Sequence, residues 1–147
     1  MKIVVGSDHG GFEYKSEIIK YLDAKGYETL DVGTYSKDSC NYAEFALKAG
    51  EVVSKGEADY GILICNTGEG IAIAANKVKG IRAGIGYDDK VVEFTRLHNN
   101  ANIITFGANF MKLEDVLRRI DIFLNTEFEG GRHEKRVQTI IDAEKLS

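Results

Sequence analysis

The sequence predicts an α/β protein: a three-layer αβα sandwich around a five-stranded parallel, Rossmann-like sheet. Three observations predict it. Short β-branched runs alternate with helical patterns five times along the chain. The middle run, Tyr60-Gly61-Ile62-Leu63-Ile64-Cys65, is almost continuously apolar, as a strand covered on both faces must be. Glycine-containing segments come directly after apolar runs, where a parallel sheet presents its loops to a ligand.

Ile3-Val4-Val5 is a β-branched run ended by Gly6, and residues 12–25 carry Tyr14, Ile18, Tyr21 and Leu22 at helical spacing, with Gly26 as the stop. Residues 29–32 form the second strand. A helix over 42–53 places Phe45, Ala46, Ala49, Val52 and Val53 on one stripe before Gly56. After the third strand (60–65), the loop Asn66–Gly70 leads into a helix at 71–77, and residues 81–85 form a fourth strand. Asp88 and Asp89 suit the start of a helix running to Leu97. Residues 102–106 are the fifth strand, and 113–124 is an amphipathic helix through Leu113, Val116, Leu117, Ile120 and Phe123. The last helix, 132–145, has a thin stripe of Val137, Ile140 and Ile141, open to packing on its own domain or on a partner subunit. Parallel strands require right-handed crossovers.

Length and composition bound the function. The chain has 147 residues, which predicts one domain over 1–147, with 44% apolar and 29% charged residues, ordinary for a soluble globular protein. No apolar run approaches the roughly 18 residues of a membrane helix, and the start is too short for a secretory signal, so a cytoplasmic location and no membrane contact are expected. The net charge of −4 argues against nucleic acid. Two cysteines and three histidines without ligand spacing predict no metal and free thiols. Proline is absent, so turns rest on Gly, Asn and Asp.

Four segments carry chemistry. Gly6-Ser7-Asp8-His9-Gly10-Gly11 comes after the first strand, where the glycines permit close backbone approach and the helix start favours an anion. It lacks the spacing of a dinucleotide fingerprint. Cys65-Asn66-Thr67-Gly68-Glu69-Gly70 ends the third strand and opens a helix, a setting that lowers a thiol pKa from about 8.5 and readies it for proton abstraction. Loop N–H groups there suit an oxyanion, and the Thr67 hydroxyl suits a proton relay. His98-Asn99-Asn100 closes a helix, where a lone histidine more often compensates the dipole. Gly130-Gly131-Arg132-His133-Glu134-Lys135-Arg136 puts Arg132 and Arg136 on one helix face beside backbone N–H groups, fit for a phosphate or simply a solvated charged face.

Together these stretches, with Ile73-Ala74-Ala75-Asn76-Lys77 and Gly80-Ile81-Arg82-Ala83, resemble the ribose-5-phosphate isomerase type B family, which includes galactose-6-phosphate isomerase subunits. Order and spacing match over nearly the whole chain. The resemblance implies an aldose–ketose isomerase that interconverts ribose 5-phosphate and ribulose 5-phosphate through an enediolate, without cofactor or metal. It implies Cys65 as the base and Thr67 with the backbone of Asn66, Gly68 and Gly70 as the anion-stabilising loop. His98 with Asp8 would assist ring opening, His9, Arg132 and Arg136 would bind phosphate, and Tyr42 would line the pocket. His98 and Asn99 would come from a neighbouring subunit, making a homodimer or homotetramer with shared active sites. Asn66, Glu69, Ala43 and Asn109 stand where the family usually has Gly, an apolar residue, Pro and Arg. Ile71 stands where one branch carries a glutamate base instead of the cysteine, which again points to Cys65. The alternatives are an isomerase of another sugar phosphate, such as a hexose 6-phosphate, and a non-catalytic module for a nucleotide or sugar phosphate.

Overall fold

In a strand, successive side chains point to opposite faces, and the first strand divides its residues accordingly. Ile3 and Val5 enter one apolar cluster and Val4 enters the other. The computed structural model describes residues 1–146. It contains β1 (Lys2–Ser7), α1 (Phe12–Ala24), β2 (Glu28–Asp31), α2 (Tyr42–Ser54), β3 (Tyr60–Cys65), α3 (Glu69–Ala75), β4 (Ala83–Ile85), α4 (Asp89–Leu97), β5 (Ile103–Gly107), α5 (Leu113–Asn125) and α6 (Arg132–Glu144). All neighbouring strands pair in parallel, in the order β2-β1-β3-β5-β4. The expected three-layer sandwich is therefore present.

Side chains of α1, α4 and α5, among them Ile18, Leu22, Val92, Val116, Ile120 and Phe123, pack on one face of the sheet. Those of α2 and α3, including Ala46, Ala49, Val53, Ile71 and Ala75, pack on the other. The central strands β3 and β5 are buried along nearly their whole length, which explains their unbroken apolar character. In α6 only His133 and Val137 are buried, and Ile140 is 48% exposed, so its apolar stripe is largely uncovered within one chain.

Beyond shifts of about a residue at other ends, three departures from the expected elements have a clear local cause. Asp8 accepts from the N–H of Gly10 and Gly11, folding His9–Gly11 into a 3-10 turn ahead of α1. The helix expected at 71–77 begins at Glu69, because Gly68 at φ 83° makes the turn that starts it. β4 is only three residues long, because the N–H of Arg82 bonds the Asn102 side chain instead of a strand partner. Among the described residues no helix is long and apolar enough to cross a membrane.

Candidate active site

The chain leaves β1 towards β2 at one edge and later crosses back to place β3 on the other side of β1. The loops after β1 and β3 thus open on either side of a crevice, the usual ligand position in such sheets. Ser7 pairs in register with Ile64, so the loops begin side by side. The Asp8 N–H bonds the Ile64 carbonyl at 3.3 Å, and Gly10 lies against the Asn66 backbone.

Cys65 ends β3 with only 4% of its surface exposed, packed in the apolar cluster on the α2 and α3 face of the sheet. The Gly68 N–H donates to its Sγ at 3.2 Å. Thr67 is exposed, and its Oγ1 accepts the Glu69 N–H at 3.1 Å, leaving the hydroxyl hydrogen directed elsewhere. The loop is held from the β5 side: the N–H of Ala108 bonds the Cys65 carbonyl, that of Asn109 bonds the Asn66 carbonyl, and Thr105 Oγ1 donates to the Gly68 carbonyl. A Cβ on Gly107 would lie 2.3 Å from the Thr67 carbonyl oxygen, so this approach requires glycine. Asn66 has no left-handed backbone. Its side-chain carbonyl accepts instead from the Asn109 amide.

Asp8 is 6% exposed, and one of its oxygens is committed to the turn it caps. His9 is exposed, and its Nδ1 accepts the Cys40 N–H at 3.2 Å. A nitrogen that accepts carries no hydrogen, so the neutral ring holds its proton on Nε2, free to donate. Tyr42 opens α2 with its ring against Gly70, where a Cβ would come within 2.7 Å of it. Thr67 and Glu69 also border a cleft of about 580 Å³ walled by Tyr87, Phe110 and Arg119.

The remaining candidates lie elsewhere. His98 caps the C-terminal end of α4, five residues before β5 begins, at the edge of the sheet where strands start. Cys65 lies at the edge where they end. The length of β3 separates them, roughly 16 Å at about 3.3 Å per residue. Around His98 the chain gathers the start of α6. The His98 ring stacks on His133, centroids 4.1 Å apart, and on Phe94 at 4.8 Å, and its Nε2 is 3.6 Å from Glu129. His133 is 4% exposed, its Nε2 has no hydrogen-bond partner, and burial first, then the charge of His98, holds its pKa below the ordinary histidine value. Sequence reading does not single out Glu129 or His133 as partners of His98, since nothing local ties them to it. His98, Glu129 and His133 bring three ligand-type atoms within 4.8 Å. Near-parallel rings, however, aim their in-plane lone pairs side by side, whereas a metal needs them to converge about 2 Å away. Asn99, Arg132 and Arg136 are exposed, and among the described residues no carboxylate pairs with either arginine.

The molecule therefore offers two half-sites. One holds a thiol, a hydroxyl and loop N–H groups; the other holds an imidazole pair and two exposed guanidinium groups at a helix start.

The chain as a whole is similar to known proteins. Residues 3–140 match the family model described as ribose/galactose isomerase. The chain is 42% identical over 144 residues to ribose-5-phosphate isomerase B of Escherichia coli, covering 98% of this chain and 97% of that protein. Among solved structures, ribose-5-phosphate isomerase B of Clostridium thermocellum superposes with a TM-score of 0.98 at 47% identity, over 99% of both chains. The Mycoplasma genitalium ribose-5-phosphate isomerase B, determined with bound ribulose-5-phosphate, matches with a TM-score of 0.96 at 37% identity, over 99% of this chain and 97% of that one.

Proposed function

The chain belongs to the ribose/galactose isomerase family and is an aldose–ketose isomerase of ribose 5-phosphate, and we propose that the Cys65 thiolate is its base in a site completed by a second copy. One observation carries the assignment of the base. The sulfur lies at the end of β3, where the glycine loop begins, with the Gly68 N–H directed at it, so it is the hydrogen-bond acceptor, the role a thiolate takes.

The chemistry needs four parts. A base moves a proton from C2 of the open-chain aldose to C1, and Cys65 does this on one face of the sugar. Negative charge develops on the carbonyl oxygen and is carried by backbone N–H groups of the Asn66–Gly70 loop, while the Thr67 hydroxyl relays the proton between O1 and O2. Ring opening needs a proton delivered to the ring oxygen as the C1 hydroxyl loses its own; His98 serves here, with Asp8 across the crevice. The phosphate is gripped by Arg132 and Arg136 at the start of α6 and by the Nε2–H of His9.

A single sugar phosphate cannot span a strand's length, so His98, Asn99, Arg132 and Arg136 reach Cys65 only from another copy of the chain. This reading makes the protein a homodimer or homotetramer with shared sites, and a member of cytoplasmic carbohydrate metabolism rather than of a membrane. Tyr42 lines the sugar pocket against Gly70. The whole chain, 1–147, acts as one isomerase domain.

Replacing Cys65 with Ala tests the base. Turnover of ribose 5-phosphate should fall at least about a thousandfold while the far-ultraviolet circular dichroism and the melting temperature stay put. Full activity in C65A ends the proposal.

A further inference from the structure

We propose that Arg96 is a positioning residue of this isomerase, a buried cation that holds the turn bearing His98 and Asn99 in register with the segment that delivers Arg132. The inference rests on the roles proposed for His98, Asn99 and Arg132 in the shared site.

Arg96 lies in the last turn of α4 and is 4% exposed. Among the described residues no carboxylate pairs with it; its partners are all neutral. Nε donates to the Thr126 carbonyl at 3.0 Å, Nη1 to the Asn100 side chain at 2.9 Å and the Ala101 carbonyl at 2.7 Å, and Nη2 to the Tyr60 hydroxyl at 3.0 Å. The rings of Tyr60 and Phe123 flank the guanidinium, with centroids 5.0 and 5.8 Å from its carbon.

Burying a charge without a counter-charge is costly, and an apolar side chain would fill the same space at lower cost. What the guanidinium supplies instead is geometry. Its donors lie in one rigid plane, so the acceptors they meet are fixed relative to one another. Three of those acceptors belong to two segments, and the fourth, Tyr60, starts β3. Asn100 and Ala101 are in the turn after His98, while Thr126 opens the segment that runs to Gly131 and the start of α6. A backbone bond from the Glu129 N–H to the Leu97 carbonyl, 3.0 Å, joins the same two segments.

Asn100 shows why the turn needs such support. It is the one non-glycine among the described residues with positive φ, 47°. Arg82 holds its carbonyl from the other side through an Nε bond of 2.9 Å. Burial first, and the nearby charge of Arg96 as well, hold the Arg82 guanidinium below its ordinary pKa, with the carboxylate of Glu144 acting against them. Two cations are thus brought together around one asparagine, with only Arg82 near a carboxylate, and the arrangement fixes the turn that follows His98.

The experiment compares wild type with R96K and N100G. Lysine keeps the charge and loses the planar fork; glycine keeps the left-handed backbone and loses the side-chain acceptor. Each protein is assayed for kcat and KM with ribose 5-phosphate, melted, and studied by NMR at the His98 imidazole resonances. R96K should remain folded, shift the His98 resonances, and lose about ten- to a hundredfold in kcat/KM; N100G should do the same to a smaller degree. Folded R96K with unmoved His98 resonances and kcat/KM within about threefold of wild type overturns the proposal. If R96K does not fold, N100G decides by the same two readouts. A wild-type protein inert towards ribose 5-phosphate overturns the isomerase reading and this role with it, whereas a wild-type enzyme that turns over beside an unaffected R96K overturns the Arg96 role alone.

Discussion

The side-chain amide of Asn109 donates to the side-chain carbonyl of Asn66, and the backbones of the same two residues are joined by a second bond of 3.1 Å. These are two of the positions at which the chain departs from the usual pattern of its family. Their pairing ties the loop after β3 to the loop after β5, so the residue next to Cys65 is held from the β5 side, away from the crevice. In N109A this support is lost at a cost of about 1 kcal/mol. We expect kcat/KM for ribose 5-phosphate to fall about fivefold, with circular dichroism unchanged, and a full assay with both kcat and KM checks it.

Shared sites predict complementation. C65A and R132A, each inactive as a pure protein, are unfolded together and refolded. A mixed dimer then holds one site with Cys65 from one chain and Arg132 from the other, so about a quarter of wild-type activity should return if chains pair at random. No recovery over the separate proteins rules out the sharing.

His133 predicts a pH effect on stability. Its native pKa lies below the ordinary 6.5, with burial the leading cause, His98, Arg132 and Arg136 acting in the same direction and Glu129 against them. The unfolded chain therefore takes up this proton first. The contribution to stability is fully present above about pH 6.5 and is lost as pH falls from there through the depressed native value. Urea unfolding at about pH 7.5 and about pH 5.5 should show a loss for wild type that is smaller in H133Q.

Lys15 is 2% exposed and bonds Asp31 at 2.6 Å between the rings of Phe12 and Tyr35, while another oxygen of Asp31 accepts the Gly33 N–H. K15M leaves the half-buried Asp31 without its cation and should cost about 2–3 kcal/mol in urea unfolding. Adding D31N should recover part of that loss. A K15M protein as stable as wild type contradicts this account.

Gly68 combines φ 83° with a neighbour that a Cβ would meet at 2.9 Å, the Phe106 backbone. G68A strains the turn that aims its N–H at Cys65. It should lower stability by about 1–3 kcal/mol and reduce kcat more than KM, which steady-state kinetics and melting together measure.

The sandwich and its helices were legible in the residues, because burial on both faces writes a strand as an unbroken apolar run, as at Ile62 to Ile64. So were the two loops of the crevice, since glycines after β1 and β3 mark where backbone must come close. The 3-10 turn at His9 was not, because an Asp that caps a single turn looks the same as one that caps nothing.

Periodicity and turn chemistry act between residues a few places apart, and they suffice to write the order of strands and helices and to mark Cys65, Thr67, His98 and the two arginines as candidates. Their distribution over opposite edges of the sheet, the bond between residues 43 apart at Asn66 and Asn109, and the neutral cage around Arg96 depend on how the crossovers fold back. Those contacts join segments whose local patterns are blind to each other, and folding brings them together only because the buried faces of the helices admit one arrangement on the sheet.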